Sequence, residues 1–392
     1  MWRKNLWTLV AAVMLCGSSY TMIIPFLPIY LLELGVAQTD VKIWSGIIFS
    51  VTFLVAALLA PYWGRRADRS GKKKMIMRAG FSLAVVYFCG SLVHSPVELL
   101  GVRVLQGVAN GFVPAAMAIV ATSTPPDQLG FSMGIMQAGL VVGGIIGPLI
   151  GGVLSHIFGM RLSFVVSSLG VFLATVAVVF LVDETATPPP PKESSLWKDL
   201  QTAFANPVLM RVLLLSFAVQ TASNALQPLI TLYVAELQHT FEGVVLTAGI
   251  VYSLAGVASA MAAPIWGRMG QMRGFTTLMV LSLIGAGIFN LGQFWAKDIY
   301  QFGILQFFYG LFIVGLFPAI NTLAVGSIDA SFQGRVFGLT TSANQLGAML
   351  GPLLGGFLSS WIGIRPVFLF TGGALLIFAA VVRRVFPRNQ YT

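Results

Sequence analysis

Apolar stretches of about 20 residues recur along this chain from end to end, each long enough to cross roughly 30 Å of hydrocarbon. They fall near residues 6–32, 44–63, 75–93, 98–121, 131–154, 162–182, 208–235, 244–265, 275–295, 299–324, 334–358 and 366–382. In lipid only a helix or a closed barrel satisfies its own backbone, and the ten-residue polar–apolar alternation of a barrel strand is missing. With 57% hydrophobic and 9% charged residues, the chain has no material for the surface of a soluble domain. The expectation is an all-α polytopic membrane protein of twelve transmembrane helices. The first apolar run continues past Pro25 and Pro28, far beyond the core of a signal peptide, and reads as a retained helix 1. Cys16 and Cys89 lie inside apolar runs and read as small hydrophobes rather than a disulfide.

One connection differs from the rest. Residues 183–207, through Pro188–Pro191, are polar and proline-rich, a stiff linker between an N-terminal bundle (1–182) and a C-terminal bundle (208–392). The net charge of +10 is explained by topology. Of the 23 Lys and Arg, only Lys42, Arg161, Lys297 and Arg365 fall on one side and Arg103 within a helix; the others share the opposite side with both termini. That side is expected to be cytoplasmic. No nucleic-acid partner is needed to account for the charge, although anionic lipid is attracted to it.

The two bundles repeat each other at an offset of 203 to 204. Pro25 to Leu34 returns as Pro228 to Leu237, and Pro61-Tyr-Trp63-Gly64-Arg65 as Pro264-Ile-Trp266-Gly267-Arg268. GGIIGPLIGG at 143–152 returns at 347–356, and Gly159-Met-Arg161 as Gly363-Ile-Arg365. Six helices per repeat make these parallel, pseudo-symmetric halves, an arrangement expected to hold a midplane cavity that opens alternately to each side. Such duplication points to a carrier. Neither a metalloprotease helix, a nucleophile with a base, nor a nucleotide loop is present to argue for a membrane enzyme or receptor.

Three motifs stand out. After helix 2 the chain reads Gly64-Arg65-Arg66-Ala67-Asp68-Arg69-Ser70-Gly71-Lys72-Lys73-Lys74, where a topology signal alone accounts for the lysines but not for the acid or the spaced glycines. Gly64 and Gly71 are expected to permit a tight turn. Helix 4 carries Arg103-x-x-Gln106-Gly107, an arginine that is expensive in a membrane unless it works or snorkels outward. Helix 5 carries Gly139, Gly143, Gly147, Pro148, Gly151 and Gly152, at the least a close-packing face.

These three stretches resemble, in order, the loop 2–3 signature, the helix 4 motif and the antiporter motif of the major facilitator superfamily. The layout most resembles its twelve-helix drug:proton antiporters. The run Ile43 to Ser50 leading to Trp63-Gly64 further resembles the MdtG-type multidrug resistance branch. The resemblance implies the major facilitator fold, a conformational latch at Gly64, Asp68, Arg69, Gly71, Lys72 and Lys73, and a part in proton transfer for Arg103 and Gln106. It also implies multidrug export at a bacterial inner membrane, driven by a proton gradient without a cofactor, by a monomer whose partners are small amphipathic substrates, protons and lipid. The second-half loop has Gln271 and Met272 where Asp68 and Arg69 stand, and Gln306 where Arg103 stands, so latch and proton motif are expected once only.

None of the 13 acids falls at mid-membrane, which departs from antiporters that use a buried carboxylate and favours neutral or weakly charged substrates. Glu33, Glu98 and Glu236, at outer helix ends, are the remaining proton-coupling candidates, and His94, His156 and His239 are too scattered for a metal. Cavity candidates are Tyr20, Phe26, Tyr30, Asn110, Met117, Gln137, Gln220, Asn224, Gln227, Tyr252, Asn321 and Asn344, each equally suited to a structural hydrogen bond. A carrier for one solute, such as a sugar or metabolite, is the alternative within the same fold.

Overall fold

A computed structural model describes residues 2–184, 205–326 and 333–385; within them a few side chains, those of Arg65 and Asp68 included, are not described. The body of the proline-rich linker lies outside the described residues. No strand occurs among them.

Helices stand at all twelve expected positions. The first half has α1 (Trp2–Met22), α2 (Leu27–Glu33), α3 (Val41–Ser70), α4 (Lys72–Leu92), α5 (Pro96–Ala109), α6 (Phe112–Ser123), α7 (Leu129–Phe158) and α8 (Met160–Leu181). The second has α9 (Pro207–Ala225), α10 (Ile230–Gln238), α11 (Val244–Arg273), α12 (Phe275–Gly292), α13 (Ile299–Ile313), α14 (Leu316–Gly326), α15 (Gln333–Ile362) and α16 (Ile364–Val385). Ten spans among the described residues are long and apolar enough to cross a membrane, or 11 if α1 and α2, bent by 46°, form one. The expected count of twelve is therefore not reached by length and composition; α15, rich in Gly, Ser, Thr and Gln, is the helix left out.

Helix starts follow local chemistry. Pro96 opens α5 behind Ser95, whose Oγ accepts from Glu98 N at 3.2 Å while the Glu98 carboxylate accepts from His94 N at 2.8 Å. Its repeat partner α13 starts behind Asp298, whose Oδ1 accepts from Gln301 N at 2.8 Å. Four expected spans are broken: 1 and 7 beside Pro25 and Pro228, which donate no N–H, and 4 and 10 after Ala109 and Ile313. The breaks are repeat-related, so they belong to the architecture of the half. By contrast α3, α7, α11 and α15 run unbroken for 30 residues each, well beyond the roughly 20 a bilayer needs. Helix 2 therefore continues through Gly64 to Ser70. The expected turn at Gly64 is not there, because the helix hydrogen bonds carry on past it, and Gly71 makes the turn alone with φ +96°.

The chain forms two compact units. Unit 1 comprises Met1–Ala37, Val51–Lys192 and Gly243–Ser253; unit 2 comprises Gln38–Ser50, Glu193–Glu242 and Leu254–Thr392. Each unit thus takes in the opening turns of one helix from the other half. In unit 1, α1 packs on α7 and α8, and α4 on α8; in unit 2, α9 packs on α15, and α12 on α16, the same pairs one repeat later. Apolar side chains also cover the outside, where Leu58, Phe180 and Trp361 are 71%, 77% and 78% exposed. Such a surface is stable only against hydrocarbon.

Candidate functional site

Unit 1 holds a polar cluster in its interior. Arg103, only 5% exposed, projects from α5 and donates through Nη1 to Gln106 Oε1 at 2.7 Å; Gln106 Nε2 donates to the Tyr87 hydroxyl of α4 at 3.2 Å. The Thr52 hydroxyl of α3 donates to the Arg103 carbonyl at 3.2 Å. Arg103 does not snorkel. Three helices, α3, α4 and α5, meet there, so Arg103 and Gln106 from the sequence reading are brought together, whereas Tyr20 of α1 lies edge-on to Phe53, ring centroids 6.4 Å apart. Tyr87 and Thr52 escaped that reading, because a lone Tyr or Thr in an apolar helix carries no local signal. In unit 2 the matching cluster is neutral: Gln293 Nε2 donates to Gln306 Oε1 at 3.1 Å.

The glycines of α7 form two faces. Gly139, Gly143, Gly147 and Gly151 lie against α1, where a β-carbon would meet Val10, the Met14 carbonyl, Ser18 with Thr21, and Met22 respectively. Gly152 lies against Val245 and Leu246 in the first turn of α11; one turn on, Gly249 lies against the Pro148 carbonyl. The Ser253 hydroxyl donates to the Ile145 carbonyl at 2.7 Å on the same face. Unit 2 repeats both faces, with Gly347, Gly351 and Gly355 against α9, and Pro352 and Gly356 against Gly46 and Lys42. The six motif positions are thus all close-approach positions, where backbone takes the place of side chains.

Around Gly71 the structure supplies a partner that the sequence concealed. The first N–H groups of α4 have no side-chain cap on their own loop; Glu184, just past α8, accepts from Lys72 N at 2.6 Å and Lys73 N at 3.2 Å. The Lys72 ammonium in turn reaches the Ala118 carbonyl and the Thr122 hydroxyl near the end of α6, both at 3.4 Å. Asn5 of α1 exchanges two hydrogen bonds with the Asp183 backbone, at 2.7 and 3.0 Å. These bonds tie four helix ends together beside the latch motif. Glu184→Ala should lower stability by about 1 kcal/mol, the usual worth of a helix cap, read as a lower thermal unfolding midpoint of the purified protein. Of the other latch residues, Arg69 is exposed, and the Asp68 side chain lies outside the described residues.

The remaining candidates divide. Glu33, Glu98 and Glu236 are exposed at helix ends; Glu98 belongs to the α5 cap, and Glu236 faces Arg365 at 3.4 Å. Phe26 and Tyr30 are sealed in an aromatic core with Phe164, ring centroids 5.3 and 5.5 Å away, and the Tyr30 hydroxyl donates to the Gly90 carbonyl. At 0% and 1% exposure they have no face to offer a solute, which corrects their place among the cavity candidates. Asn110 ends α5 and its Oδ1 accepts from Gly111 N at 2.7 Å; Asn344 accepts from the Ser216 hydroxyl, and Asn224 donates to the Gln220 carbonyl. Met117, Gln220, Gln227 and Tyr252 are partly exposed, and Gln137 and Asn321 are exposed.

Comparison with known proteins gives a consistent picture. The family model for the Major Facilitator Superfamily matches residues 9–261 and 229–391. The chain is 33% identical over 380 residues to multidrug resistance protein MdtG of Klebsiella pneumoniae (strain 342), covering 96% of this chain and 92% of that protein. MdtG of Proteus mirabilis (strain HI4320) is 32% identical over 377 residues, 95% and 94% of the two chains. Among solved structures, a bacterial homolog of the human lysosomal transporter Spinster, inward-facing and unoccupied, superposes with TM-score 0.81 at 16% identity over 99% of this chain and 98% of its own. The nucleoside transporter NupG does so with TM-score 0.80 at 12% identity, over 98% and 99%.

Proposed function

Because the chain belongs to the major facilitator superfamily and is a multi-pass membrane transporter, we propose that it exports small amphipathic or lipophilic compounds by alternating access, drawing on the proton gradient. The glycine string of α7 carries the export reading. It has the pattern of the antiporter motif, and every position of it is used for close backbone approach. The MdtG relatives are named for multidrug resistance, which supports the same reading. The proposal includes two six-helix halves, 1–182 and 208–392, joined by the 183–207 linker, and a monomer in the bacterial cytoplasmic membrane with both termini inside.

Inverted vesicles, acidified inside, should accumulate a lipophilic cationic or neutral dye, and a protonophore should abolish this. Accumulation that persists without a gradient would overturn the coupling. Coupling through Glu33, Glu98 or Glu236 draws no support from their exposed positions, and Arg103 with Gln106 is the better-placed pair. Asp68 is proposed as the latch acid. Asp68→Asn should reduce dye transport about tenfold, the effect of an interaction worth about 1.4 kcal/mol, while the amount of inserted protein stays the same. Unchanged transport would reduce the loop to a topology signal.

A further inference from the structure

In the fourth expected span the chain leaves the helix. α5 closes on Asn110, whose ψ of 160° takes the chain out of helical geometry, and Gly111 follows at φ +123°, where a side chain is strained. Carbonyls at the end of α5 lose their helical donors there. One side chain from α4 meets two of them: Arg78 Nη1 donates to the Val108 carbonyl at 3.0 Å and Nη2 to the Asn110 carbonyl at 2.7 Å. The same guanidinium sits over Trp63 of α3, 3.6 Å from the ring centroid.

The second half shows what this architecture does without the arginine. At an offset of 203, Trp63 corresponds to Trp266, Val108 to Leu311 and Arg78 to Leu281. There Trp266 Nε1 donates directly to the Leu311 carbonyl at 2.6 Å. In the first half the matching N–H, Trp63 Nε1, is buried and makes no hydrogen bond among the described residues. Its repeat-related acceptor, the Val108 carbonyl, is occupied by Arg78.

We propose that the break in helix 4 is a hinge with two interchangeable donors, Arg78 and Trp63 Nε1, competing for the Val108 carbonyl. Arg78 holds the described form. When α4 shifts and withdraws the guanidinium, Trp63 takes the Val108 carbonyl as Trp266 takes that of Leu311, so that this acceptor is not left bare in a medium without water. Arg78 is a positioning residue: it sets the attitude of α5, the half-helix that carries Arg103 and Gln106. The inference rests on the carrier reading only for why a hinge is needed, and not on the cargo.

Amide hydrogen exchange of the full-length protein in lipid nanodiscs tests it without any substrate, so its failure and that of the export reading are separate events. Trp63→Phe alone should leave exchange over residues 110–115 within about 2-fold of the parent, because its N–H is idle there. Arg78→Leu should raise exchange by about 3-fold, with Trp63 taking over, and the double variant by about 30-fold, well beyond the product of the singles. Arg78→Lys should resemble Arg78→Leu, since a point ammonium lacks the fork that spans two carbonyls. In the second half, where leucine stands at 281 in place of Arg78, Trp266→Phe alone should raise exchange over 313–318 by about 30-fold. A double variant equal to the product of its singles would overturn the proposal. So would a rise spread evenly over α4 and α8, or an unchanged Trp266→Phe.

Discussion

Alanine at Gly143 should destabilise the protein by about 3 kcal/mol, the upper part of the range for overpacking a close interface, while alanine at the adjacent Gly144 should be harmless or stabilising. A β-carbon at Gly143 would stand 2.5 Å from the Met14 carbonyl oxygen and 3.0 Å from Ser18 N, both backbone atoms of α1 that have no rotamer to give way. At Gly144 nothing lies within 4 Å, and alanine gains up to about 1 kcal/mol of helix propensity over glycine. The two residues share sequence surroundings, lipid exposure of the helix and predicted hydropathy, so the contrast isolates the interface. The measurement is the unfolding midpoint and the recovered yield of each variant. A Gly143→Ala protein as stable as the parent would mean that α1 and α7 separate easily, and that the motif is not a packing device.

Arg103→Gln should leave the protein folded and inserted yet lower transport by about 100-fold, corresponding to about 2.7 kcal/mol. The second half has already tried the structural half of this substitution. Gln306, at the repeat-related position, is also 5% exposed and is satisfied by Gln293. An amide at 103 therefore has a tolerated geometry, and removing a desolvated charge lowers no helix-packing term. What it removes is a cation buried in unit 1 where α3, α4 and α5 meet. Dye accumulation by inverted vesicles, normalised to inserted protein, reads the effect. Full activity would assign Arg103 to structure alone.

Several elements were legible in the sequence because their signal is local or periodic. Span positions follow from runs of apolar residues, and the two-half plan follows from matched blocks such as Pro61–Arg65 with Pro264–Arg268. The α7 glycines read as close-approach positions from their four-residue spacing alone. Other features had no local signal. Glu184 sits at the edge of a polar linker and caps a helix that begins 112 residues earlier, at Lys72. Phe26 and Tyr30 read as cavity residues from their type and span, yet the partner that seals them, Phe164, arrives from α8. Arg78 read as one more positive charge of the loop until its two acceptors on α5 were in place.

By itself, then, the sequence determined that this chain lives in a membrane, as helices in two repeated sets, with small-residue faces where helices touch. Hydropathy, helical period and repetition are properties of residues in order, so they survive without a fold. Tertiary structure decided where spans break, which acid caps which helix, and that the Arg103 cluster draws on three helices rather than one. It also decided that the tight turn belongs to Gly71 and not to Gly64. Each of these depends on a partner brought in from a distant part of the chain. Hydrogen-bond acceptors in a waterless medium must be met by whichever donor the packing delivers, and no sequence pattern specifies that donor.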